Sequence, residues 1–437
     1  MRQGELYSPD VDGGRQTSDS LGEVRIPAGA RWGPHTERAR ANFAVGGVTL
    51  AELPSLVSAF ADVKAASARA NVELGVLPAA IGAAVEAAAA EVARGEHAAE
   101  FPLPVLQGGG GTSTNMNLNE VIANRASELL GADVHPLDHV NRSQSTNDVY
   151  PTALALATID TGRRCLAGIA ALEDAVRAAD RRTGSLERLG RTCLQDAVPV
   201  PVGAGLRAAA SGLARTSADL ERALAGLVQV PLGATAVGTG IGAPDGFREV
   251  AVRHLAERHP GVEATGDLFD GLQHLDAYVA VASELGRVCL VASKLAADLR
   301  LLSSGPHGGL GEAVLPAVQA GSTIMPGKVN PVIPELVLQV GFEVEGARRV
   351  VDAAAGAGEL ELNVMEPAIA ASLLPALEKV GRTAVVFAER CLDGLTWDEE
   401  RMRANLGGSL ATRVLDAQTS GYEAAAQAAK PQSERLA

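Results

Sequence analysis

The chain has 437 residues, which is room for about three units of about 150 residues each and for a large buried core. It carries 38 Lys and Arg against 52 Asp and Glu, and the resulting net charge of −14 argues against a nucleic-acid-binding function. Apolar residues make up 47% of the chain but aromatic residues only 3%, so the core must be built from Ala, Val and Leu. Because Ala and Leu are strong helix formers, this composition predicts a soluble, acidic, mostly helical protein.

The cysteines and the N-terminus indicate which cellular compartment and which cofactors to expect. The four cysteines lie far apart, without a CxxC motif or metal-ligand spacing, so we expect neither a disulfide framework nor a zinc site. The polar N-terminus has no apolar stretch typical of a signal peptide, and no run reaches about 18 uncharged apolar residues. We therefore expect a cytoplasmic protein with no metal, no cofactor and no membrane contact.

Taken in chain order, the sequence divides into a tail and three domains. Residues 1–20 are rich in Gly, Ser and Asp, which predicts a flexible tail. Alternating helical and loop signals then predict an N-terminal domain over 21–142, in which 118–131 has the apolar periodicity of a helix. Residues 143–396 carry the longest helical patterns and predict a central domain, whereas the weak patterning of 397–437 predicts a small C-terminal domain.

Two long helices are predicted in the central domain. From Tyr278 to Leu302, apolar residues step alternately by three and four positions, which is a heptad pattern. A helix of that span is about 37 Å long at about 1.5 Å per residue. A second helical pattern runs from Glu335 to about Ala355. Helices of this length favour a long helical bundle, shared between subunits.

Four loops between the helical segments combine small hydroxyl and amide side chains with Gly or Pro. They are residues 108–117, 135–148, 190–196 and 321–331. Any one of them is readily explained as an ordinary cluster of turn residues. Together, their hydroxyls, amides and free backbone N–H groups are what a carboxylate ligand requires, and a helix N-terminus downstream would add partial positive charge.

The fourth loop, GSTIMPGKVNP at 321–331, resembles the signature loop of the aspartase/fumarase superfamily. The other three loops resemble further active-site segments of that superfamily, in the same order, and the resemblance covers about 21–394. The segments PVIPE (331–335) and ELELNVMEP (359–367) look more like aspartate ammonia-lyase than like fumarase.

This resemblance implies an all-α fold with a long central helical bundle and smaller N- and C-terminal helical domains. It also implies a homotetramer in which each active site is built by three subunits. The reaction would be an elimination from a substituted succinate to give fumarate. A base would remove a proton beside one carboxylate, and the resulting dianionic aci-carboxylate would expel the substituent on the neighbouring carbon.

The resemblance also assigns roles to individual residues. Ser322 would be the catalytic base, on a glycine-bounded loop that suits a mobile lid. Substrate-binding residues would be Thr112, Ser113, Ser145, Thr146, Asn147, Thr192, Lys328 and Asn330. Further pocket residues would be Arg142, Cys193 and Glu335. The alternative for the hydroxyls is helix capping, which would account for one or two of them.

Several positions depart from the family pattern. Cys193 stands where fumarases carry His and many aspartases Gln or His, so the pair that His makes with the residue matching Glu335 is broken. We interpret Cys193 as a less polar pocket wall, with a cysteine nucleophile as the alternative. His307 replaces a usual Arg, Leu137 replaces an Asn of a secondary anion site, and Arg142 adds positive charge. The C-terminal domain also looks truncated.

Intact carboxylate-binding residues beside an altered leaving-group region favour loss of a nitrogen substituent. The substrate would be L-aspartate, releasing ammonia, or nitrosuccinate, releasing nitrite, with fumarate as the product of both. An ammonia leaving group needs hydrogen-bond acceptors, whereas a nitro group needs donors. A class II fumarase-type hydratase is one alternative, and a catalytically silent helical scaffold is another.

Overall fold

The computed structural model describes residues 14–409 and 412–426, and most of these residues are helical. The helices, in chain order, are α1 Pro34–Asn42, α2 Pro54–Glu73, α3 Ala79–Ala93, α4 Thr112–Leu130, α5 Thr146–Thr183, α6 Gly203–Ala225, α7 Phe247–Arg258, α8 Asp270–Gln273, α9 Asp276–Leu302, α10 Val332–Ala355, α11 Glu366–Phe387, α12 Glu399–Gly407 and α13 Thr412–Ser420. The predicted all-α class is confirmed. Within the described residues, no helix is both long enough and apolar enough to cross a membrane.

The strands are short and form two-stranded ribbons. They are β1 Arg15–Asp19 with β2 Gly22–Ile26, β3 Glu187–Thr192 with β4 Gln195–Pro201, β5 Gln229–Val230 with β6 Glu263–Ala264, and β7 Ala313–Val314 with β8 Thr396–Trp397. Only the pairing of β5 with β6 is parallel. Strand β1 falls within the tail predicted over 1–20, and its five residues pair with β2. Residues 1–13 of that tail lie outside the described residues.

The described residues divide into two compact units, and each is interleaved along the chain. The first unit consists of the described residues up to Cys165, Asp219–Leu285 and Val344–Glu378. The second consists of Leu166–Ala218, Gly286–Glu343 and the described residues from Lys379 onward.

The two long helices of the central segment form as predicted. Every residue of the heptad pattern from Tyr278 to Leu302 is buried in α9, except Ala292, which is half-buried. Helix α10 begins at Val332, three residues before the predicted start, so that Pro334 lies in its first turn. A proline is tolerated there because the first N–H groups of a helix have no partner within the helix.

In the first unit, aromatic packing fixes the glycine loop 108–111 against the start of α5. The rings of Phe60 and Tyr150 meet edge to face, with centroids 5.3 Å apart, and both side chains are fully buried. Gly111 has φ +79°, and a Cβ atom built on it would lie 2.1 Å from Tyr150 Cε2. Only glycine therefore fits at this position, and Thr112 starts α4 directly after it.

Candidate active site

The predicted site residues fall into two groups, one in each compact unit. The first unit contains Thr112, Ser113, Arg142, Ser145, Thr146 and Asn147. The second contains Thr192, Cys193, Ser322, Lys328, Asn330 and Glu335.

In the second unit, the loop 321–331 is closed by hydrogen bonds at its base. Gly321 N donates to Lys328 O at 2.7 Å, and Asn330 Nδ2 donates to Gly321 O at 2.7 Å. A Cβ atom on Gly321 would lie 2.7 Å from Asn330 N, so this closure requires glycine. The Asn330 amide N–H thus holds the loop, and the Lys328 side chain at the same closure is exposed.

Ser322 lies just inside this closure, and its Oγ accepts two backbone hydrogen bonds. Met325 N donates to it at 2.8 Å and Ile324 N at 3.2 Å. N–H groups directed at a hydroxyl oxygen stabilise negative charge on that oxygen, as they do in anion-binding loops. The local fold of the loop is thus suited to a serine that loses its proton.

A groove of about 1080 Å³ lies beside the loop, within the second unit. It is lined in part by Lys328, Asn330, Glu335 and Arg300. Glu335 Oε1 lies 3.5 Å from Arg300 Nη2, so its ion-pair partner is an arginine. This pairing differs from the water-activating arrangement with histidine.

Cys193 and Leu194 form the two-residue turn between β3 and β4, and Thr192 is the last residue of β3. Both turn residues have positive φ, +51° and +62°, and all three side chains are exposed. Positive φ at both positions is the geometry that usually selects Asn-Gly, and it costs a residue with a Cβ atom roughly 1–2 kcal/mol. Cys193 does not line the groove beside loop 321–331, and its role as a pocket wall stays a prediction.

A buried ion pair holds this hairpin close to its turn. Arg191 donates to both carboxylate oxygens of Glu312, at 2.7 and 3.0 Å, and Asn405 Nδ2 donates to Glu312 Oε1 at 2.7 Å. Glu312 is fully buried. The hairpin is therefore anchored to the segment that precedes β7 and to α12, a connection that the sequence analysis missed.

In the first unit, Thr112 and Ser113 occupy the first turn of α4. Thr112 Oγ1 donates to Gly109 O at 2.7 Å, and Ser113 Oγ is hydrogen-bonded to His35 Nε2 at 3.1 Å. His35 lies at the N-terminus of α1, whose free N–H groups bind the buried carboxylate of Glu120. Glu120 therefore positions His35 against Ser113.

Ser145 caps α5. Its Oγ accepts from Asn147 N at 3.2 Å, and its own N–H donates to Asp148 Oδ1 at 3.0 Å, a reciprocal capping arrangement. This bears out capping as one role for Ser145. The Arg142 side chain is exposed, and Asn147 Nδ2 donates to Ala236 O at 2.8 Å.

Asp148 joins this turn to a distant loop that the sequence analysis did not single out. Its Oδ2 accepts from Thr235 N at 2.9 Å and Gly233 N at 3.1 Å. Thr235 has φ +56°, a conformation rare for a β-branched residue. Burial raises the pKa of Asp148 to about 6, although the N–H donors and the ammonium of Lys64 oppose this rise.

Lys64 is a fully buried lysine on α2 that also escaped the sequence analysis. Its Nζ donates to Asn141 Oδ1 and to Gln144 Oε1, both at 2.9 Å. Burial lowers the pKa of Lys64 to about 7, and the carboxylate of Asp148 opposes this shift. A run of Ala and Val around Lys64 was the available signal that this helix face is buried.

Thr146 is buried and is reached by the same set of polar side chains. Asn115 Nδ2 donates to Thr146 Oγ1 at 3.0 Å and to Asn141 Oδ1 at 3.1 Å. The structure thus brings Thr146 together with residues of α2 and α4. Over the part of the chain that the structure describes, no group of three or more His, Cys, Asp or Glu residues could hold a metal ion.

Comparisons with known proteins place this arrangement in a family. A family model described as lyase matches residues 22–346. The chain is 44% identical to an aspartate ammonia-lyase of Corynebacterium glutamicum, over 91% of this chain and 77% of that protein. It is 38% identical to a class II fumarate hydratase of Xylella fastidiosa, over 98% and 90% of the two chains.

The chain is also similar to a solved structure over most of its length. A fumarate lyase/delta crystallin from Brucella melitensis superposes with a TM-score of 0.91 and 44% identity, covering 96% of this chain and 92% of that one. The match to the family model extends over both groups of site residues, including loop 321–331. The chain is therefore a lyase and belongs to the aspartase/fumarase superfamily.

Proposed function

We propose that this lyase removes ammonia from L-aspartate to give fumarate. Relatives that match most of the chain indicate a carbon–nitrogen lyase. The proposal adds L-aspartate as the substrate. The observation that carries the proposal is the pair of backbone N–H groups on Ser322 Oγ. They would stabilise the alkoxide that an otherwise weakly basic serine needs in order to act as a base.

In the proposed reaction, Ser322 removes the proton from the carbon next to one carboxylate. The electron pair of the broken C–H bond moves into that carboxylate and gives the dianionic aci-carboxylate. When this pair returns to form the C=C bond of fumarate, the C–N bond breaks and ammonia leaves with its bonding pair. The barrier is dominated by the second negative charge on one carboxylate, so donors arranged in advance are the largest expected contribution.

The carboxylate-binding residues are proposed from both groups. Thr112, Ser113, Ser145, Thr146, Asn147 and Thr192 would supply hydroxyl and amide hydrogen bonds, together with Lys328 and Asn330 of the serine loop. Thr192 and Lys328 are exposed, and Asn330 already donates to Gly321 O. Its remaining N–H and its oxygen would serve the substrate while the first N–H keeps the loop closed.

The alternatives differ in the leaving group. A fumarase-type hydration is disfavoured because Glu335 pairs with Arg300 and the residue after Thr192 is Cys193. Loss of nitrite from nitrosuccinate is the second candidate. It is favoured by Cys193 itself, since a thiol is a weak hydrogen-bond acceptor for the protons of an ammonium group.

A homotetramer with active sites shared between subunits is proposed as the working form. Supporting it, large apolar side chains are exposed on the long helices and on the serine loop: Leu290 is 70% exposed, Phe342 73% and Ile324 84%. Large apolar side chains exposed on the helices of a bundle are expected where another chain covers them. We also propose that the protein works in the cytoplasm, to which a chain with four cysteines far apart in sequence is suited. Its proposed domains follow the divisions 21–142, 143–396 and 397–437.

A substrate panel tests the proposal. The purified protein is mixed separately with L-aspartate, L-malate and nitrosuccinate, and fumarate is followed by its ultraviolet absorbance. Turnover of L-aspartate at a kcat/KM well above that of the other two is expected. Turnover of nitrosuccinate or L-malate alone would replace the proposal with the corresponding alternative, and no fumarate from any of the three would favour a catalytically silent scaffold.

A further inference from the structure

A buried chain of hydrogen bonds leads from Lys64 to Thr146, and its direction is set at one end. The ammonium form of the lysine side chain can only donate, so Asn141 must present its Oδ1 atom to Lys64 Nζ, 2.9 Å away. The other side of the same amide agrees, because Asn141 Nδ2 donates to the backbone oxygen of Gln144 at 3.2 Å. The orientation of Asn141 is thereby fixed.

The orientation of the Asn141 amide determines the orientation of the Asn115 amide. The amide of Asn115 faces Asn141 Oδ1 at 3.1 Å, and an oxygen there would place two acceptors in contact. Asn115 must therefore direct Nδ2 at Asn141, and the second hydrogen of this NH₂ group reaches Thr146 Oγ1 at 3.0 Å. Asn119 Nδ2 also donates to Asn141 Oδ1, at 3.1 Å, so three donors converge on one oxygen.

Thr146, the last residue in this series of hydrogen bonds, keeps its hydroxyl hydrogen available for donation. Thr146 Oγ1 accepts from Asn115, and no acceptor among the described residues takes the hydroxyl hydrogen of Thr146. The residue keeps 8% of its surface exposed. A hydroxyl oxygen that already accepts a hydrogen bond can still donate through its O–H. A carboxylate ligand only accepts, so it requires such a donor.

We propose that Lys64 is a positioning residue that, through Asn141 and Asn115, holds the Thr146 hydroxyl as a hydrogen-bond donor to a carboxylate of the substrate. This rests on the proposed function, in which Thr146 binds a dicarboxylate. Lys64 does not touch the substrate and takes no part in proton transfer. Without Lys64, the 3.2 Å hydrogen bond from Asn141 Nδ2 to Gln144 O would be left to oppose reversal of the Asn141 and Asn115 amides. In the reversed arrangement Thr146 would donate to Asn115.

The protein surroundings of Lys64 argue that its role is orientation rather than stability. It lies on α2 in a run of buried small residues, where an apolar side chain would avoid the cost of burying an ammonium group. The neighbouring charge that favours its ammonium form is Asp148, which is not within ion-pair distance but acts through the low-dielectric interior. A lysine at this buried position is accounted for by its hydrogen bonds, which orient the amides of Asn141 and Asn115.

A double-mutant cycle tests the proposal, with the dissociation constant for fumarate as the readout because fumarate is common to all three candidate reactions. Lys64→Met and Thr146→Val are made singly and together in the full chain. Each single change is expected to weaken fumarate binding roughly tenfold, the size of one hydrogen bond to a charged group. In the Thr146→Val background, Lys64→Met should add less than about twofold.

The matched control is Asn71→Leu. Asn71 lies on the same helix about two turns further on, where its amide donates to Arg142 O and accepts from Ser143 Oγ. It anchors the same loop without belonging to the amide chain. Its effect on fumarate binding should therefore be the same with and without Thr146→Val.

Should Lys64→Met fail to fold, Asn115→Asp interrupts the series of hydrogen bonds between Asn141 and Thr146. An aspartate cannot donate to Thr146, so the threonine O–H would turn toward it, and fumarate binding should again weaken roughly tenfold. Wild-type affinity in Lys64→Met or Asn115→Asp overturns the proposal, as does an effect of Lys64→Met that is equal in both Thr146 backgrounds. Fumarate binding without turnover of aspartate would instead count against the proposed function alone.

Discussion

The buried ammonium group of Lys64 predicts a specific pH dependence of stability. In the folded chain the pKa of Lys64 is lowered from 10.5 to about 7, because the side chain is fully buried. Between these two values the unfolded chain holds a proton that the folded chain has released. The free energy of unfolding must therefore rise with pH across this window, since the unfolded state binds more protons there.

The size of the effect follows from the two pKa values. At about 1.36 kcal/mol per pKa unit, and with the folded group half-protonated at pH 7, the contribution of Lys64 grows by about 2 kcal/mol between pH 7 and pH 9. Lys64→Met removes this contribution. The difference in unfolding free energy between Lys64→Met and wild type should thus shift by about 2 kcal/mol, in favour of the wild type, as the pH rises.

The measurement is urea-induced unfolding followed by far-ultraviolet circular dichroism at pH 7 and pH 9, at one fixed protein concentration. Taking the difference between two proteins cancels the titrating groups whose pKa does not depend on Lys64. Asn71→Leu, on the same helix but without a titratable group, should differ from wild type by the same amount at both pH values. If Lys64→Met also differs from wild type equally at both, the lysine does not have a lowered pKa and the burial argument fails.

Three further changes have defined outcomes. Ser322→Ala should reduce turnover by at least about a thousandfold with the oligomer intact by light scattering, because the base is gone; a rate within tenfold of wild type would exclude Ser322 as the base. Cys193→Ser should keep substantial activity in the fumarate assay, because the thiol lies exposed at a turn, whereas complete loss would revive the nucleophile hypothesis. Gly111→Ala should destabilise by about 2–4 kcal/mol in chemical unfolding, since the new Cβ would overlap the ring of Tyr150 and the backbone has positive φ. Gly131→Ala shares the positive φ but has no atom within 4 Å, so it should cost only about 1 kcal/mol, and equal costs would refute the packing argument.

The features predicted correctly from the sequence are those encoded locally. The heptad pattern from Tyr278 to Leu302 predicts α9 because the spacing of apolar residues directly reflects which face of a helix is buried. The loop 321–331 was recognised by its resemblance to the signature loop of the superfamily, and part of that pattern is required by the backbone geometry of the loop. Gly321, for example, has Asn330 N where a Cβ atom would otherwise lie.

The hairpin β3–β4 and the polar chain from Lys64 were missed for a different reason. The turn at Cys193 and Leu194 has the dihedral angles of Asn-Gly without its residues, so no turn signal marks it. The contacts of Asp148 with Thr235, and of Lys64 with Asn141, join residues distant in sequence, and a lysine on a helix is usually taken as solvated. Such contacts are created by tertiary packing and leave no periodic pattern in the sequence.

The closure of loop 321–331 on itself has a kinetic consequence. Its backbone ring, from Gly321 to Lys328, and the amide clasp of Asn330 lie entirely inside the loop, as do the two N–H groups on Ser322. Any movement of the loop would therefore carry the serine and its charge-stabilising groups together as one rigid piece. Substitutions at the flanking hinges should then change how often the base reaches the substrate, whereas substitutions inside the ring should change how basic the serine is once it has arrived.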